Sequence, residues 1–224
     1  MRLRRIVPRI IDGGFVQTKS LPNAVNSCWS CAENRPGDQI FCQSCHSVLP
    51  GFSGNYFELL GIPQQFAIDF DALEKKYLAL INQLHPDRFA AKSGQEKLLS
   101  QSHAVDINEA YHTLADPVRR ASYILRLNGI DFDMDRERTV FDQELLMEIL
   151  QRREELAEAD DLPSVQTLAA HGKSACDAAI SQIQTAIDGK NWESVKSQLL
   201  RLQYLQKFVA DAQGRQQQLL SAGL

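Results

Sequence analysis

Apolar residues recur at helical spacing along most of the chain after residue 55, and this pattern predicts an almost wholly helical protein. The clearest run forms one stripe made of Phe70, Leu73, Tyr77, Leu80, Ile81 and Leu84. Asp69 precedes the stripe as a plausible N-cap, and Pro86 must end the helix because proline has no backbone N–H to donate. Apart from short ribbons near the cysteines, no alternating run is long enough to predict a strand.

Turn residues divide the helical part into two units. The first, residues 55–129, should contain a short helix over 56–60, the stripe helix, a third helix over about 95–115 and a fourth over 117–127. Asp116-Pro117 provides the cap and first position of the fourth helix, and Asn128-Gly129 closes it. The second and third helices should form an antiparallel hairpin that buries their stripes against each other.

The second unit, residues 140–224, should contain three helices over about 142–159, 163–188 and 191–221. Gly189 marks a helix end, and Asn191 is a candidate cap for the last helix. The short connections imply antiparallel neighbours and therefore a three-helix bundle. The predicted fold class is thus all-α: a helical hairpin followed by a three-helix bundle, with a small cysteine module in front.

The loop after the stripe helix carries His85, Pro86 and Asp87. Pro86 excludes His85 from the helical region, so a histidine and a carboxylate should lie exposed at the end of a rigid helix. Lys75 projects to nearly the opposite side from the stripe, and Lys76 lies at its flank. These lysines are either solubilising charges or a modest basic contact surface.

The first helix of the second unit has two apolar faces. Phe141, Leu145, Ile149 and Leu156 form the natural core stripe. Leu146, Met147 and Leu150 lie on roughly the other side, with Glu154 one turn beyond Leu150. An apolar patch bordered by acids is an interaction candidate, unless the helix is buried on both sides. In the last helix Leu200, Tyr204 and Phe208 form a second row, which a wide buried face could also explain.

Four of the five cysteines form two C-x-x-C pairs within residues 26–46, namely Cys28 with Cys31 and Cys42 with Cys45. Two such knuckles can supply the four thiolates of a closed structural zinc site. A redox pair and two disulfides are the alternatives, and His46 is a further candidate ligand. Cys176 stands alone in a helical stretch, and we expect a small buried apolar residue there.

Composition limits the function classes. The chain is 44% hydrophobic and 23% charged with a net charge of −4, which is ordinary for a globular protein and argues against a nucleic-acid binder. No apolar run is long enough for a transmembrane helix. Residues 1–25 are expected to be disordered or cleaved. Four arginines and no acid in the first ten residues favour a mitochondrial transit peptide and a matrix location, against a basic tail on a cytoplasmic protein.

From Tyr56 onwards the sequence resembles the HscB family of J-protein co-chaperones. The motifs that carry the resemblance are Asn55-Tyr56-Phe57-Glu58-Leu59-Leu60-Gly61, His85-Pro86-Asp87-Arg88-Phe89, Ile107-Asn108-Glu109-Ala110-Tyr111-His112-Thr113-Leu114, Asp116-Pro117 with the stretch from Arg119 to Leu125, and Leu146-Met147-Glu148 with Arg153-Glu154-Glu155-Leu156. The last motif is the most specific to the family. The cysteine module resembles that of eukaryotic, mitochondrial members.

The resemblance implies an adaptor for iron–sulfur cluster assembly with no active site of its own. Whether the chain forms a homodimer is left open by the sequence. The J-domain loop of His85, Pro86 and Asp87, with Lys75 and Lys76, is expected to bind a DnaK-type chaperone and stimulate its ATPase. The bundle is expected to bind the scaffold protein IscU. By the same resemblance, the scaffold contacts are Leu146, Met147, Leu150, Glu154 and Tyr204. Gln151 and Gln203 depart from the charged residues expected there.

Two other function classes remain open. A general J-protein for unfolded clients should carry a Gly/Phe-rich linker and β-rich client domains, and neither is apparent in the sequence. A thiol oxidoreductase would use the cysteine pairs, but the chain offers no nucleophile–base constellation. His103, His112 and His171 are expected to be surface or partly buried helix residues rather than catalytic groups.

Overall fold

The computed structural model describes residues 27–34, 39–133 and 143–222. They belong to two compact units, one within Met1–Gly54 and the other within Asn55–Leu224. The helices of the second unit are α1 (Tyr56–Leu60), α2 (Phe70–Gln83), α3 (Gly94–Ala115), α4 (Pro117–Leu127), α5 (Gln143–Glu158), α6 (Leu162–Asp188) and α7 (Trp192–Ala222). The predictions for residues 1–25 and for Phe141 fall outside the described residues.

The all-α fold class is confirmed. Among the described residues, extended pairing is limited to two isolated bridges, Ser27 with Asn34 and Phe41 with Val48, so the short ribbons expected near the cysteines are single pairs. None of the helices in this part of the chain is both long and apolar enough to cross a membrane.

Side-chain caps define where most helices begin. The Asp69 carboxylate accepts a hydrogen bond from the Ala72 N–H, and Asp116 accepts one from Arg119. Asn191 likewise accepts from Ser194. These three caps agree with the sequence prediction. Asn55 adds a capping box with Glu58, which the sequence analysis did not identify.

The hairpin of α2 and α3 is antiparallel, as predicted. The Tyr77 hydroxyl donates to Asn108 Oδ1 at 2.9 Å, and the Ser100 hydroxyl donates to the Leu84 carbonyl at 2.9 Å. Because the later residue of α2 meets the earlier residue of α3, the two helices must run in opposite directions. Tyr77 also stacks on Tyr111, with ring centroids 4.2 Å apart.

The α2 stripe is buried unevenly. Leu73 and Leu84 are fully buried, whereas Tyr77, Leu80 and Ile81 are half-buried. Phe70 is 52% exposed and departs from the expected stripe. It is the first residue of α2. Its ring is covered from one side by the Arg120 guanidinium, whose carbon lies 5.4 Å from the ring centroid.

His103 is fully buried, at 2% exposure, which corrects the expectation of a surface or partly buried residue. Its position explains the burial, since Ile107 and Ala110 follow one and two turns later on the same side of α3 and are themselves buried. His112 and His171 are exposed, as expected.

The second half of this unit is a three-helix bundle. α6 and α7 pack antiparallel through most of their length, with Val165 near Leu219 at one end. Glu148 of α5 contacts Arg201 of α7 and Leu156 packs near Leu219, so α5 runs in the same direction as α7 and antiparallel to α6. α4 also contacts α7, so the hairpin and the bundle are joined by direct packing.

Candidate functional sites

The His85 loop forms a single 3₁₀ turn, Pro86–Phe89, with His85 as its N-cap. The Asp87 N–H donates to His85 Nδ1 at 3.3 Å, and this nitrogen lies 3.6 Å from the Asp87 carboxylate. The side chains of His85 and Asp87 are 53% and 91% exposed. The turn therefore presents an imidazole and a carboxylate to solvent in a fixed relation.

Contacts on both sides of the turn hold it in place. Phe89 is buried, and the Leu84 carbonyl accepts the Ser100 hydroxyl in the core of the hairpin. Arg88 reaches back to the Asn82 carbonyl at 3.4 Å. Because the turn is anchored to both α2 and α3, its exposed groups are preorganised for a partner.

Lys75 and Lys76 are both exposed on α2. Lys75 precedes the end of the helix at Gln83 by eight residues, or about 12 Å along its axis. A partner that covers both the lysines and the His85 turn must therefore span more than two helical turns. Both interpretations of the lysines, solubilising charges or contact surface, fit this position.

The apolar patch of α5 faces solvent. Leu146, Met147 and Leu150 are 41%, 64% and 46% exposed, and Glu154 is exposed beside them. Leu145, Ile149 and Leu156, on the other face, are half-buried. This arrangement agrees with the predicted two-faced helix and excludes the alternative in which α5 is buried on both sides.

Tyr204 does not share the exposure of that patch. It is half-buried and lines a groove between α5 and α7 together with Leu145, Ile149 and Phe208. Phe208 is itself buried, so the second apolar row of α7 mostly contributes to the bundle. The alternative of a wide buried face was therefore right for Phe208.

The sequence analysis missed an ion cluster in this groove. Glu148 accepts hydrogen bonds from Arg152, one turn later in α5, and from Arg201 of α7. The spacing of Glu148 and Arg152 is a recognisable i, i+4 pair. The contribution of Arg201, 53 residues further on, required the tertiary structure.

The two cysteine knuckles have the same backbone design. In the first, the Ala32 N–H donates to the Cys28 carbonyl and the Cys28 N–H to the Glu33 carbonyl, each at 2.8 Å. In the second, His46 and Ser47 take the places of Ala32 and Glu33, with both bonds at 3.0 Å. Ala32 and His46 each have φ of 59°, the left-handed turn that closes a knuckle.

The four knuckle sulfurs converge. All lie within 4.8 Å of one another, with Cys28 to Cys45 at 3.6 Å and Cys31 to Cys42 at 3.7 Å. A tetrahedron with Zn–S bonds of about 2.3 Å has edges of about 3.8 Å. The donor set and its spacing fit a closed zinc site, and these separations are too long for disulfides. His46 is not part of the cluster, and Cys176 is half-buried in α6.

The electrostatics of the cluster also call for a cation. The hydroxyl and N–H of Ser47 lower the pKa of Cys45 to about 6. The Glu33 N–H favours the Cys31 thiolate, but hydrogen bonds shared with the other thiols, chiefly Cys45, raise the pKa of Cys31 to about 12. Four thiolates this close cannot all ionise without a positive ion among them. Burial raises the pKa of the separate Cys176 thiol.

Comparisons with known proteins agree with these features. Residues 55–123 match the DnaJ domain, and residues 141–213 match the HSCB C-terminal oligomerisation domain. Human iron–sulfur cluster co-chaperone protein HscB is 31% identical over 183 residues, covering 79% of this chain and 77% of the human protein. An HscB homologue of Vibrio cholerae is 34% identical over 170 residues, covering 74% of this chain and 99% of that protein.

Solved structures show the same relationship. The crystal structure of human HscB superposes with a TM-score of 0.78 at 28% identity, covering 84% of this chain and 98% of the human chain. HscB from Vibrio cholerae superposes with a TM-score of 0.67 at 33% identity, covering 74% of this chain and 99% of that chain. A J-domain hairpin joined to this C-terminal bundle, with relatives covered over most of their length, places the chain in the HscB family of iron–sulfur co-chaperones.

Proposed function

We propose that this protein is a two-ended adaptor in iron–sulfur cluster assembly. Its J-domain recruits a DnaK-type heat-shock chaperone and stimulates the ATPase of that partner, while its bundle binds an IscU-type scaffold protein and so promotes cluster transfer. The observation that carries the proposal is the presence of two exposed sites on one compact unit, the His85 turn and the apolar patch of α5.

The chemistry of the His85 turn supports docking rather than catalysis. His85 Nδ1 accepts a hydrogen bond from the backbone of its own turn, so this nitrogen is occupied in orienting the loop. The almost fully exposed Asp87 carboxylate is available for a charged hydrogen bond to a cationic group of the chaperone. The ATPase chemistry belongs to the partner, and Lys75 and Lys76 extend the docking surface.

The exposed face of α5 supports the scaffold assignment. Leu146, Met147 and Leu150 offer a deformable apolar surface, and Glu154 gives its border a negative charge. Tyr204 adds a contact at the groove behind this face. A general J-protein for unfolded clients is the alternative, and the match of residues 141–213 to the HscB C-terminal domain favours the specific role.

We also propose a ligand for the cysteine module and a cellular location for the protein. Cys28, Cys31, Cys42 and Cys45 hold a structural zinc ion. The human HscB structure covers a larger share of this chain, 84%, than the Vibrio structure does, 74%, which supports a relation to the eukaryotic members. We therefore propose a mitochondrial matrix location. The matched oligomerisation domain supports a homodimer, which sedimentation can test.

The test uses the full chain with two partners, a DnaK-type chaperone and an apo IscU-type scaffold. Asp87→Asn should abolish stimulation of chaperone ATPase, while scaffold affinity stays within twofold. Asp131→Asn, the same substitution at another exposed aspartate, is the matched control and should stimulate normally. Normal stimulation by Asp87→Asn would contradict the assignment of the loop.

The second arm replaces Leu146, Met147 and Leu150 together with alanine. Scaffold affinity should fall by about 30-fold, or about 2 kcal/mol, since each of the three truncations removes apolar contact worth roughly 0.7 kcal/mol. Circular dichroism should show unchanged helicity, and stimulation of the chaperone without scaffold should persist. Leu98→Ala with Leu220→Ala, two exposed leucines elsewhere, is the control. Loss of helicity instead would identify the three residues as core.

A further inference from the structure

We infer that Glu148 is a positioning residue of the scaffold-binding face: by clamping Arg152 and Arg201, it sets the orientation of α5 and thereby the direction in which Leu146, Met147 and Leu150 point. The inference rests on the proposed scaffold function.

Apolar contacts hold α5 only weakly against the rest of the bundle. None of the described side chains of α5 is fully buried, whereas α6 and α7 each carry several fully buried residues. The anchored end is the C-terminal one, where Leu156 packs against a buried cluster of Ala159, Val165 and Leu219. The patch residues lie toward the other end, where Leu145 and Ile149 are half-buried along the groove beside α7.

The ion cluster of Glu148, Arg152 and Arg201, here called the clamp, lies nearer the N-terminal end of α5 than the Leu156 contacts do. Glu148 Oε1 accepts from Arg152 Nε and Nη2 at 3.2 and 3.0 Å, and the Arg201 Nη2 lies 3.0 Å from Oε1 and 2.8 Å from Oε2. The Glu148 and Arg152 side chains are only 25% and 24% exposed, so solvent screens this pair less than a surface pair, whereas the Arg201 side chain is 41% exposed. Glu148 precedes Leu156 by eight residues, about 12 Å along the helix.

The clamp is also tied to the core of the bundle. The Arg152 guanidinium carbon lies 5.9 Å from the centroid of the buried Phe208 ring. Phe208 in turn packs closely against Gly172 of α6. Arg152 is therefore held against the core of the bundle, Arg201 belongs to α7 itself, and Glu148 is the acceptor that both arginines share.

Glu148 acts through the helix rather than by touching the scaffold. At 100° per residue, its side chain projects about 150° away from the centre of the Leu146, Met147 and Leu150 patch. A small rotation or lift of the first turns of α5 would nevertheless move all three patch residues, because each lies within two positions of Glu148 in sequence. Scaffold affinity should therefore depend on a residue outside the interface.

The test compares Glu148→Gln with Glu155→Gln in the full chain. Glu155 lies two turns further along nearly the same side of α5, where it is exposed and accepts a hydrogen bond from Gln151 of the same helix. Glu148→Gln should weaken binding of an apo IscU-type scaffold by about tenfold and speed hydrogen exchange of residues 143–150. Exchange in α6 and the thermal midpoint of the chain should change little. Glu155→Gln should leave all four readouts near wild type.

A charge swap between Glu148 and Arg201 distinguishes loss of this ion pair from a general destabilisation of the fold. Glu148→Arg alone should bind the scaffold at least as poorly as Glu148→Gln, and Glu148→Arg with Arg201→Glu should recover most of the affinity and the slow exchange. Wild-type affinity for Glu148→Gln, or no recovery in the swap, would overturn the inference. If the wild-type chain itself does not bind the scaffold, the proposed function fails, and the exchange measurement still decides whether Glu148 holds α5.

Discussion

At the scale of single residues, Arg120 is a charged side chain that connects three segments from within the core of the J-domain. It is 3% exposed, yet its guanidinium donates to the Leu114 carbonyl near the end of α3 and lies 4.8 Å from the centroid of the Phe66 ring. Burial lowers the pKa of Arg120 to about 10, which still leaves it charged at neutral pH. One cation therefore joins α4, the end of α3 and the segment before α2.

Arg120→Met should destabilise the J-domain by about 2 kcal/mol, because it keeps the apolar stem but leaves the Leu114 carbonyl without its charged donor. Urea unfolding followed by circular dichroism measures the change. Arg119→Met is the control at the neighbouring position, where the side chain is exposed, and it should shift the free energy of unfolding by less than about 0.5 kcal/mol. Equal effects at the two positions would contradict the structural role of Arg120.

At the scale of helices, α6 and α7 meet at a glycine. A Cβ added at Gly172 would lie 2.8 Å from Val209 Cγ2 and 3.0 Å from Phe208 Cδ1, both side-chain atoms of α7. Glycine in the middle of a helix normally costs about 1 kcal/mol relative to alanine. At this position the cost is offset by the close approach that it permits between the two longest helices of the bundle.

Two glycine-to-alanine substitutions should therefore have opposite signs. Gly172→Ala should lower the free energy of unfolding by about 1 kcal/mol net, since overpacking outweighs the gain in helix propensity. Gly214→Ala in α7, where an added Cβ meets no atom within 4 Å, should raise it by about 0.5–1 kcal/mol. Thermal melting of the two variants beside wild type is the measurement. Stabilisation by both substitutions would mean that α6 and α7 can move apart at Gly172 at little energetic cost.

At the scale of the entire chain, different interactions stabilise the two units. The helical unit buries many large apolar side chains, among them Phe57, Ile107, Leu125, Ile183 and Leu202. The described part of the cysteine module buries few apolar residues, namely Cys28, Ile40, Cys42, Val48 and Leu49, and Trp29 Nε1 donates a hydrogen bond to the Val48 carbonyl. So small a core needs a metal for its stability.

Removal of zinc should therefore unfold the module and spare the helices. The purified chain should carry one zinc ion, and Cys28→Ser should lose it while Cys176→Ser keeps it. In a Trp192→Phe background Trp29 is the sole tryptophan, so its fluorescence should change on addition of a strong chelator while the helical dichroism remains. Loss of helicity on chelation would show that the helical unit depends on the metal.

The helical fold class, the helix ends and the group of four cysteines could be predicted from the sequence, because periodicity, caps such as Asp116-Pro117 and paired knuckles are local properties of the chain. The sequence also separated the two faces of α5. Four features emerge from the folded arrangement alone: Phe70 is exposed, His103 is buried, Tyr204 lies in a groove, and Arg201 bonds to Glu148. Burial and ion pairing depend on which residues far apart in sequence become neighbours in space, and a local sequence pattern does not show those contacts.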